Sequence, residues 1–279
     1  MLIRVDDPQV IYLDYNATTP VRAEVREVLL PFLTDEWGNP SSTYAFGAKM
    51  KKVVEHAREQ VAELLGAQPW EVLFTSCATE SNNAALHAAL KADARKRHII
   101  TSAVEHSSVL AHCRALEREG ARVTYLPVDR DGLLRTADLE TAMAEDTAIV
   151  SLMWANNETG VLFPVDEIAQ ICRSRGVLFH CDAVQAAGKV PMDVRALGVD
   201  YLSITGHKVH APKGVGALYV RRKAPFTPLL HGGHQERGLR GGTESVPLIV
   251  ALGKAAELAR DNLAAYDAHV RPLRDRLES

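Results

Sequence analysis

Seven apolar runs of six to nine residues alternate with segments of helical period, and this alternation constrains the fold more than any other feature of the chain. The runs are EVLFTS (71–76), RHIITS (97–102), ARVTYLPV (121–128), TAIVSLMWA (147–155), VLFHCDA (177–183), DYLSIT (200–205) and GALYVRR (216–222). Several are almost continuously apolar and β-branched, the pattern of strands buried on both faces. Between them lie amphipathic segments. Met50, Val53, Val54, Ala57, Val61, Leu64 and Leu65 recur at helical spacing, and Gly66 closes the run as a C-cap. Ser81–Ala94, Ser108–Arg118 before Gly120, and Val165–Arg175 before Gly176 read the same way. The order predicts an α/β fold, a mostly parallel sheet flanked by helices on both faces. Residues 251–279 read as one more helix, in which the sequence stops.

Composition narrows the function classes. The net charge of −3 gives no broad electrostatic reason to bind nucleic acid or an anionic membrane. With 47% hydrophobic and 24% charged residues the chain is not a disordered or fibrous one. No apolar stretch is long enough to span a bilayer, and the first ten residues have no signal-peptide core. Four cysteines without a CxxC pair fit reduced thiols and a cytoplasmic location better than a disulfide framework or a zinc ribbon.

In a parallel sheet, ligands bind beyond the carboxyl ends of the strands. Those ends carry Cys77, Ala78 and Thr79; Glu105 and His106; Asn156, Asn157 and Glu158; Asp182 and Gln185; and Thr205, His207 and Lys208. Taken singly, each has an ordinary structural reading. Lys208 is a solvated strand end, Asp182 and Thr79 are caps, His106 is a hydrogen-bonded structural histidine, and Asn157 is a turn residue. Together they put a lysine, a carboxylate, an imidazole and hydroxyls on one edge. A lysine paired with an aspartate at a ring nitrogen is the arrangement of pyridoxal phosphate sites, and the Ala78–Thr79 turn offers helix N-terminal amides to a phosphate. His231 with His234, and His207 with His210, sit among Gly and Pro and do not form a helical metal pair, so no metal is expected. The strings GxGxxG and GxxxxGK[ST] are absent, which disfavours a plain nucleotide-binding module.

The strings LDYNATTP (13–20), GNPSS (38–42), FTSCATES (74–81), VEHSSVL (104–110), WANNETG (154–160), HCDAVQAAGK (180–189), TGHKVHAPKGVG (205–216) and GGHQERGLRGGTES (232–245) resemble the cysteine desulfurases, fold-type I pyridoxal phosphate enzymes of the aminotransferase class-V group. HAPKG and GGHQERG look closest to the nitrogenase-associated NifS branch. The resemblance implies roles by position. Lys208 would carry the cofactor covalently and move the substrate's α-proton. Asp182 would pair with the pyridine nitrogen, Gln185 with the phenolic oxygen, and His106 would stack on the ring and shuttle protons. Ala78, Thr79, Thr205 and His207 would hold the phosphate; many relatives carry Ser in place of Thr205. Asn157 would lie near the substrate carboxylate, and Thr243 would reach the phosphate of a second subunit in a homodimer. Residues 1–15 would be an N-terminal segment associated with the small domain, 16–257 the large cofactor-binding domain, and 258–279 the start of a truncated small domain. The implied substrate is L-cysteine, and the implied sulfur acceptor is an Fe–S scaffold protein. The family's catalytic cysteine and its carboxylate-binding arginine belong to a C-terminal region beyond Ser279. Cys181 alternates with Asp182 and should face the core, Cys113 and Cys172 should pack within helices, and Cys77 is the thiol nearest the site. Two other readings stand beside this one: a selenocysteine lyase-like enzyme, and a truncated chain that binds cofactor or dimerises without catalysis.

Overall fold

The computed structural model describes residues 11–279; residues 1–10, most of the expected first segment, lie outside the described part. The chain begins with α1 (Ala23–Leu29), α2 (Pro31–Thr34) and α3 (Ala45–Leu65), then β1 (Val72–Thr75) and α4 (Ala78–Ala92). It continues through β2 (His98–Ser102), α5 (Ser107–Arg118), β3 (Arg122–Leu126), α6 (Thr136–Ala142), β4 (Thr147–Met153) and α7 (Val165–Arg175). β5 (Leu178–Asp182), α8 (Val194–Leu197), β6 (Tyr201–Thr205), β7 (Gly216–Val220), α9 (Val246–Asp261) and α10 (Leu263–Glu278) complete it.

All seven apolar runs are strands of one sheet, ordered β1-β7-β6-β5-β4-β2-β3. β3, β2, β4, β5 and β6 are parallel, and only β7 is reversed, antiparallel to both β6 and β1. Alternate residues of each strand enter two separate apolar cores, which explains why the runs are continuous rather than alternating. Leu73, Ile99, Ile149, Tyr201 and Leu218 pack with Leu86 of α4 and Val109 and Cys113 of α5. Phe74, Ile100, Val150, Phe179, Leu202 and Tyr219 pack with α3, α7 and α9 on the other face. Gly66 ends α3 at φ 69°, a left-handed turn that suits a residue without Cβ.

One expectation is corrected. The C-terminal segment is two helices, because Asn262 turns its side-chain amide back onto the Leu258 carbonyl at 2.8 Å and leaves helical geometry at φ −103°, ψ 5°. α10 beyond it has no buried residue. Among the described residues no helix is long and apolar enough to cross a membrane.

Candidate active site

Because β1, β2, β4, β5 and β6 point the same way, their carboxyl ends meet along one edge, and a cavity of about 390 Å³ opens there. Ala78, Thr79, His106, Asn157, Asp182, Gln185, Thr205, His207 and Lys208 all line it. Thr243 does not; it is exposed and lines a separate cavity of about 170 Å³ with Arg240, Glu244 and Ser245. Among the described residues no cluster of three or more metal-ligating side chains occurs.

Each residue reaches the cavity for a local reason. Cys181 and Asp182 point to opposite faces of β5. Cys181 enters the core shared with α7 and α9, so Asp182 faces α4. There its carboxylate accepts the Val184 N–H at 3.0 Å and the Asn82 amide at 2.8 Å. Burial pushes the Asp182 carboxyl up, and these two bonds only partly oppose that. Lys208 follows β6 in a short 3-10 turn, and its amine donates to the carbonyl oxygens of Asn16 and Ala17. Burial pulls the amine below its ordinary value, while the Asp14, Asp182 and Glu158 carboxylates pull it up. His207 is lowered by burial and by Lys208.

α4 starts at Ala78 beneath the cavity, and no side chain caps it, so its first amides remain available to an anion. The turn sits directly on Gly216, where a Cβ would come within 2.8 Å of the Cys77 carbonyl carbon. Thr205 also faces the cavity, with its hydroxyl on the Val215 carbonyl at 3.3 Å. Of the two asparagines at 156–157, Asn156 is structural: its side chain binds the Val104 carbonyl and the amides of Glu158 and Thr159. Asn157 lines the cavity.

Several residues that sequence reasoning did not assign now enter. Asn16 lies on an N-terminal segment whose Thr18 and Thr19 pair with His207 and His210. Its carbonyl also accepts the Gln185 amide at 2.9 Å. Lys189 donates to Gln185 Oε1 at 2.8 Å, which obliges the Gln185 NH₂ group to face outward as a donor. Burial, with Lys208 nearby, brings the Lys189 amine down to about 8. Glu105 accepts from Ser102 Oγ at 2.6 Å and Met153 N–H at 3.1 Å, and burial pushes its carboxyl up to about 8. It thereby ties the loop carrying His106 to the ends of β2 and β4. Asn82 and Ser108 join Asp182 to His106. Asn16, Glu105, Ser108 and Lys189 lay inside strings that already marked the site; Asn82 had no sequence signal beyond its place in a helix.

The pyridoxal phosphate that the sequence implies suits this donor set. Asp182 is a buried carboxylate with hydrogen-bond donors but, among the described residues, no cation within bonding distance, so a cationic ring nitrogen would supply what it lacks. The uncapped α4 start, with Thr79 and His207, offers donors to a phosphate. Lys208 brings the amine to the same cavity.

The aminotransferase class-V family matches residues 11–279. "Cysteine desulfurase 2" of Trichormus variabilis is 56% identical over 269 residues, which are 96% of this chain and 67% of that protein. A solved "NifS-like protein" superposes with a TM-score of 0.93 at 44% identity, over 96% of this chain and 74% of its own. The structure "SspA in complex with cysteine" gives a TM-score of 0.85 at 42% identity, over 88% of this chain and 72% of its own. The chain thus spans about two thirds to three quarters of the length of these relatives. It belongs to the aminotransferase class-V family, among the pyridoxal-phosphate-dependent cysteine desulfurases.

Proposed function

We propose that this chain is the cofactor-bearing part of a homodimeric, cytoplasmic desulfurase that takes sulfur from L-cysteine, leaves L-alanine, and delivers the sulfur to an Fe–S scaffold protein, in the NifS manner for nitrogenase clusters. The observation that carries the reading is the convergence of Lys208, Asp182 and the uncapped α4 start on one cavity. The cysteine bound in a structure similar over most of this chain supports the substrate.

When bound, pyridoxal phosphate supplies a carbon that condenses with amines and a cationic ring that accepts the electron pair left by a departing α-proton. The chain's own residues do the rest. Lys208 Nζ removes that proton, and burial favours the neutral amine this needs. Asp182 holds the proton of the ring nitrogen, and Gln185 donates to the phenolic oxygen with the polarity Lys189 imposes. His106 covers the ring. Ala78, Thr79, Thr205 and His207 hold the phosphate, and Asn157 orients the substrate carboxylate. Thr243, set apart from the cavity and exposed, serves the phosphate of the partner subunit.

Sulfur leaves when a cysteine thiolate attacks the substrate sulfur: an S–S bond forms, the C–S bond breaks, and the β-carbon gains a proton. None of the four thiols here suits that task. Burial pushes Cys113 and Cys172 up to about 12 and Cys181 well above the thiol range. Cys77 lies in the phosphate turn. The attacking thiol is therefore assigned to none of these four cysteines.

The test pairs the intact mass of the native protein with its visible absorption and with sulfide release from L-cysteine. A mass above that of 279 residues, cofactor colour and sulfide release support the reading. Colour without persulfide labelling on any cysteine favours a cofactor-binding chain that does not transfer sulfur. Turnover of L-selenocysteine with none of L-cysteine favours a selenocysteine lyase.

A further inference from the structure

Two side chains, Asn82 and Ser108, link Asp182 to His106 without a break. Asp182 Oδ2 accepts from Asn82 Nδ2 at 2.8 Å, and the same nitrogen reaches Ser108 Oγ at 2.9 Å. Ser108 Oγ lies 2.8 Å from His106 Nδ1, and the Ser108 backbone N–H donates to Nδ1 at 3.1 Å. Asn82 is fully buried on α4, and Ser108 is 8% exposed at the start of α5.

The polarity of the chain is forced. A carboxylate at Asp182 only accepts, so Asn82 must turn its NH₂ group toward it. One Asn82 hydrogen goes to Asp182 and the other to Ser108 Oγ. Asn82 Oδ1 is then left buried with no partner among the described residues. A buried unpaired carbonyl is costly, which argues that the NH₂ orientation is what this position keeps. Ser108 Oγ, having accepted from Asn82, gives its own proton to His106 Nδ1. A nitrogen that receives two donors carries no proton, so the neutral imidazole has its hydrogen on Nε2.

We infer that Asn82 is a positioning residue that couples Asp182 to His106, fixing the orientation of the carboxylate and selecting the Nε2–H tautomer of the imidazole. His106 then takes up and hands over protons at Nε2 and not at Nδ1. The functional meaning rests on reading the cavity as the cofactor site, but the coupling itself lies in the protein.

The experiment uses the full chain, cofactor-free, labelled with ¹⁵N-histidine, in alkaline buffer where free imidazoles are neutral. His106→Gln assigns the resonances. The expected wild-type signal is a pyridine-type Nδ1 and a pyrrole-type Nε2. In Asn82→Ala and Ser108→Ala, both ¹⁵N shifts should move toward the mixed values of an imidazole that samples both tautomers. Asn82→Ala keeps both Ser108 donors to Nδ1 and Ser108→Ala keeps only the backbone one, so the change in Asn82→Ala should be the smaller. If Asn82→Ala does not fold, Ser108→Ala decides alone. A second readout is cofactor affinity, which should weaken about tenfold in Asn82→Ala, the loss of one charge-assisted hydrogen bond. A protonated Nδ1 in the wild type, or unchanged shifts in the folded variants, would overturn the inference, since a purely structural asparagine lowers the melting temperature without moving the tautomer. A wild-type chain that binds no cofactor refutes the functional reading instead and leaves the tautomer result to decide the coupling.

Discussion

Lys208 and Asn16 stand 192 positions apart, and the amine of one donates to the backbone carbonyl of the other. The same carbonyl takes the Gln185 amide, and the Asn16 side chain takes the Lys189 amine at 3.3 Å. A residue of the N-terminal segment thus gathers three polar side chains of the site. In the role proposed for it, Lys208 must give up its bonds to Asn16 and Ala17.

Lys208→Ala should abolish the visible absorption of the lysine-bound cofactor and leave the far-UV circular dichroism unchanged. The amine bonds only to carbonyls of a surface segment, so its loss opens no hole in the core. Retained colour would remove Lys208 from its assigned role.

Asp182→Ala removes the buried carboxylate of the cavity and leaves Asn82 with an unused donor. Exchange of the substrate α-proton with solvent should slow by about 10²-fold or more. Exchange at the wild-type rate, read by NMR in deuterated buffer, would show that the carboxylate plays no part.

Lys189→Met removes the donor that holds Gln185 Oε1, so the amide can turn over. Cofactor affinity should fall about tenfold, the effect of one lost hydrogen bond to a charged group, and Lys189→Arg should restore part of it. Equal affinity in Lys189→Met and wild type would dissociate Lys189 from the site.

The strands were legible because most of their residues, β3 apart, are buried on one face or the other, which writes a nearly continuous apolar run into the chain. Cys181 and Asp182 could be placed on opposite faces from strand geometry alone, and the structure agrees. The break at Asn262 was not legible, because helical periodicity continues on both sides of it and no Gly or Pro marks the bend. Asn82 was silent for a different reason. Its partners Ser108 and Asp182 lie 26 and 100 positions away, and only the packing of α4 on α5 and β5 brings them together.

Arg58 and Glu236 form a forked ion pair at 2.7 and 2.8 Å with side chains only 3% and 2% exposed. Glu236 also accepts the Phe74 N–H, and Arg58 lies 4.7 Å over the Phe74 ring. Glu236 and Arg237 both hold positive φ, at 46° and 59°, so the pair fixes a strained turn ahead of Thr243. Arg58→Met should cost about 3–5 kcal/mol in urea unfolding, since it strands a buried carboxylate. A loss below about 1 kcal/mol would mean that the pair behaves as a surface contact.

His98 bridges β3, β2 and β4 through Thr124 and Thr147, and His180 bridges β4, β5 and β6 through Ser151 and Ser203. Burial lowers His98 to about 4 and His180 to about 3. An unfolded histidine titrates near 6.5, so below that pH the unfolded chain binds more protons than the folded one. Their contribution is whole above about pH 6.5 and is lost as pH falls toward 4 and 3. The melting temperature should fall across that window, and His180→Asn, less stable at neutral pH, should show a shallower fall. Parallel slopes would take His180 out of the acid response.

The reversal of β7 has a further consequence. Because β6 and β7 are antiparallel neighbours, the ten residues 206–215 that join them form a closed span, and Lys208 sits inside it. The amine is therefore moored to the sheet at both ends of a short tether and cannot drift from the cavity between turnovers. Its effective concentration there is set by chain geometry rather than by affinity. Lengthening the span between Thr205 and Gly216 should dilute the lysine without touching a single atom of the site.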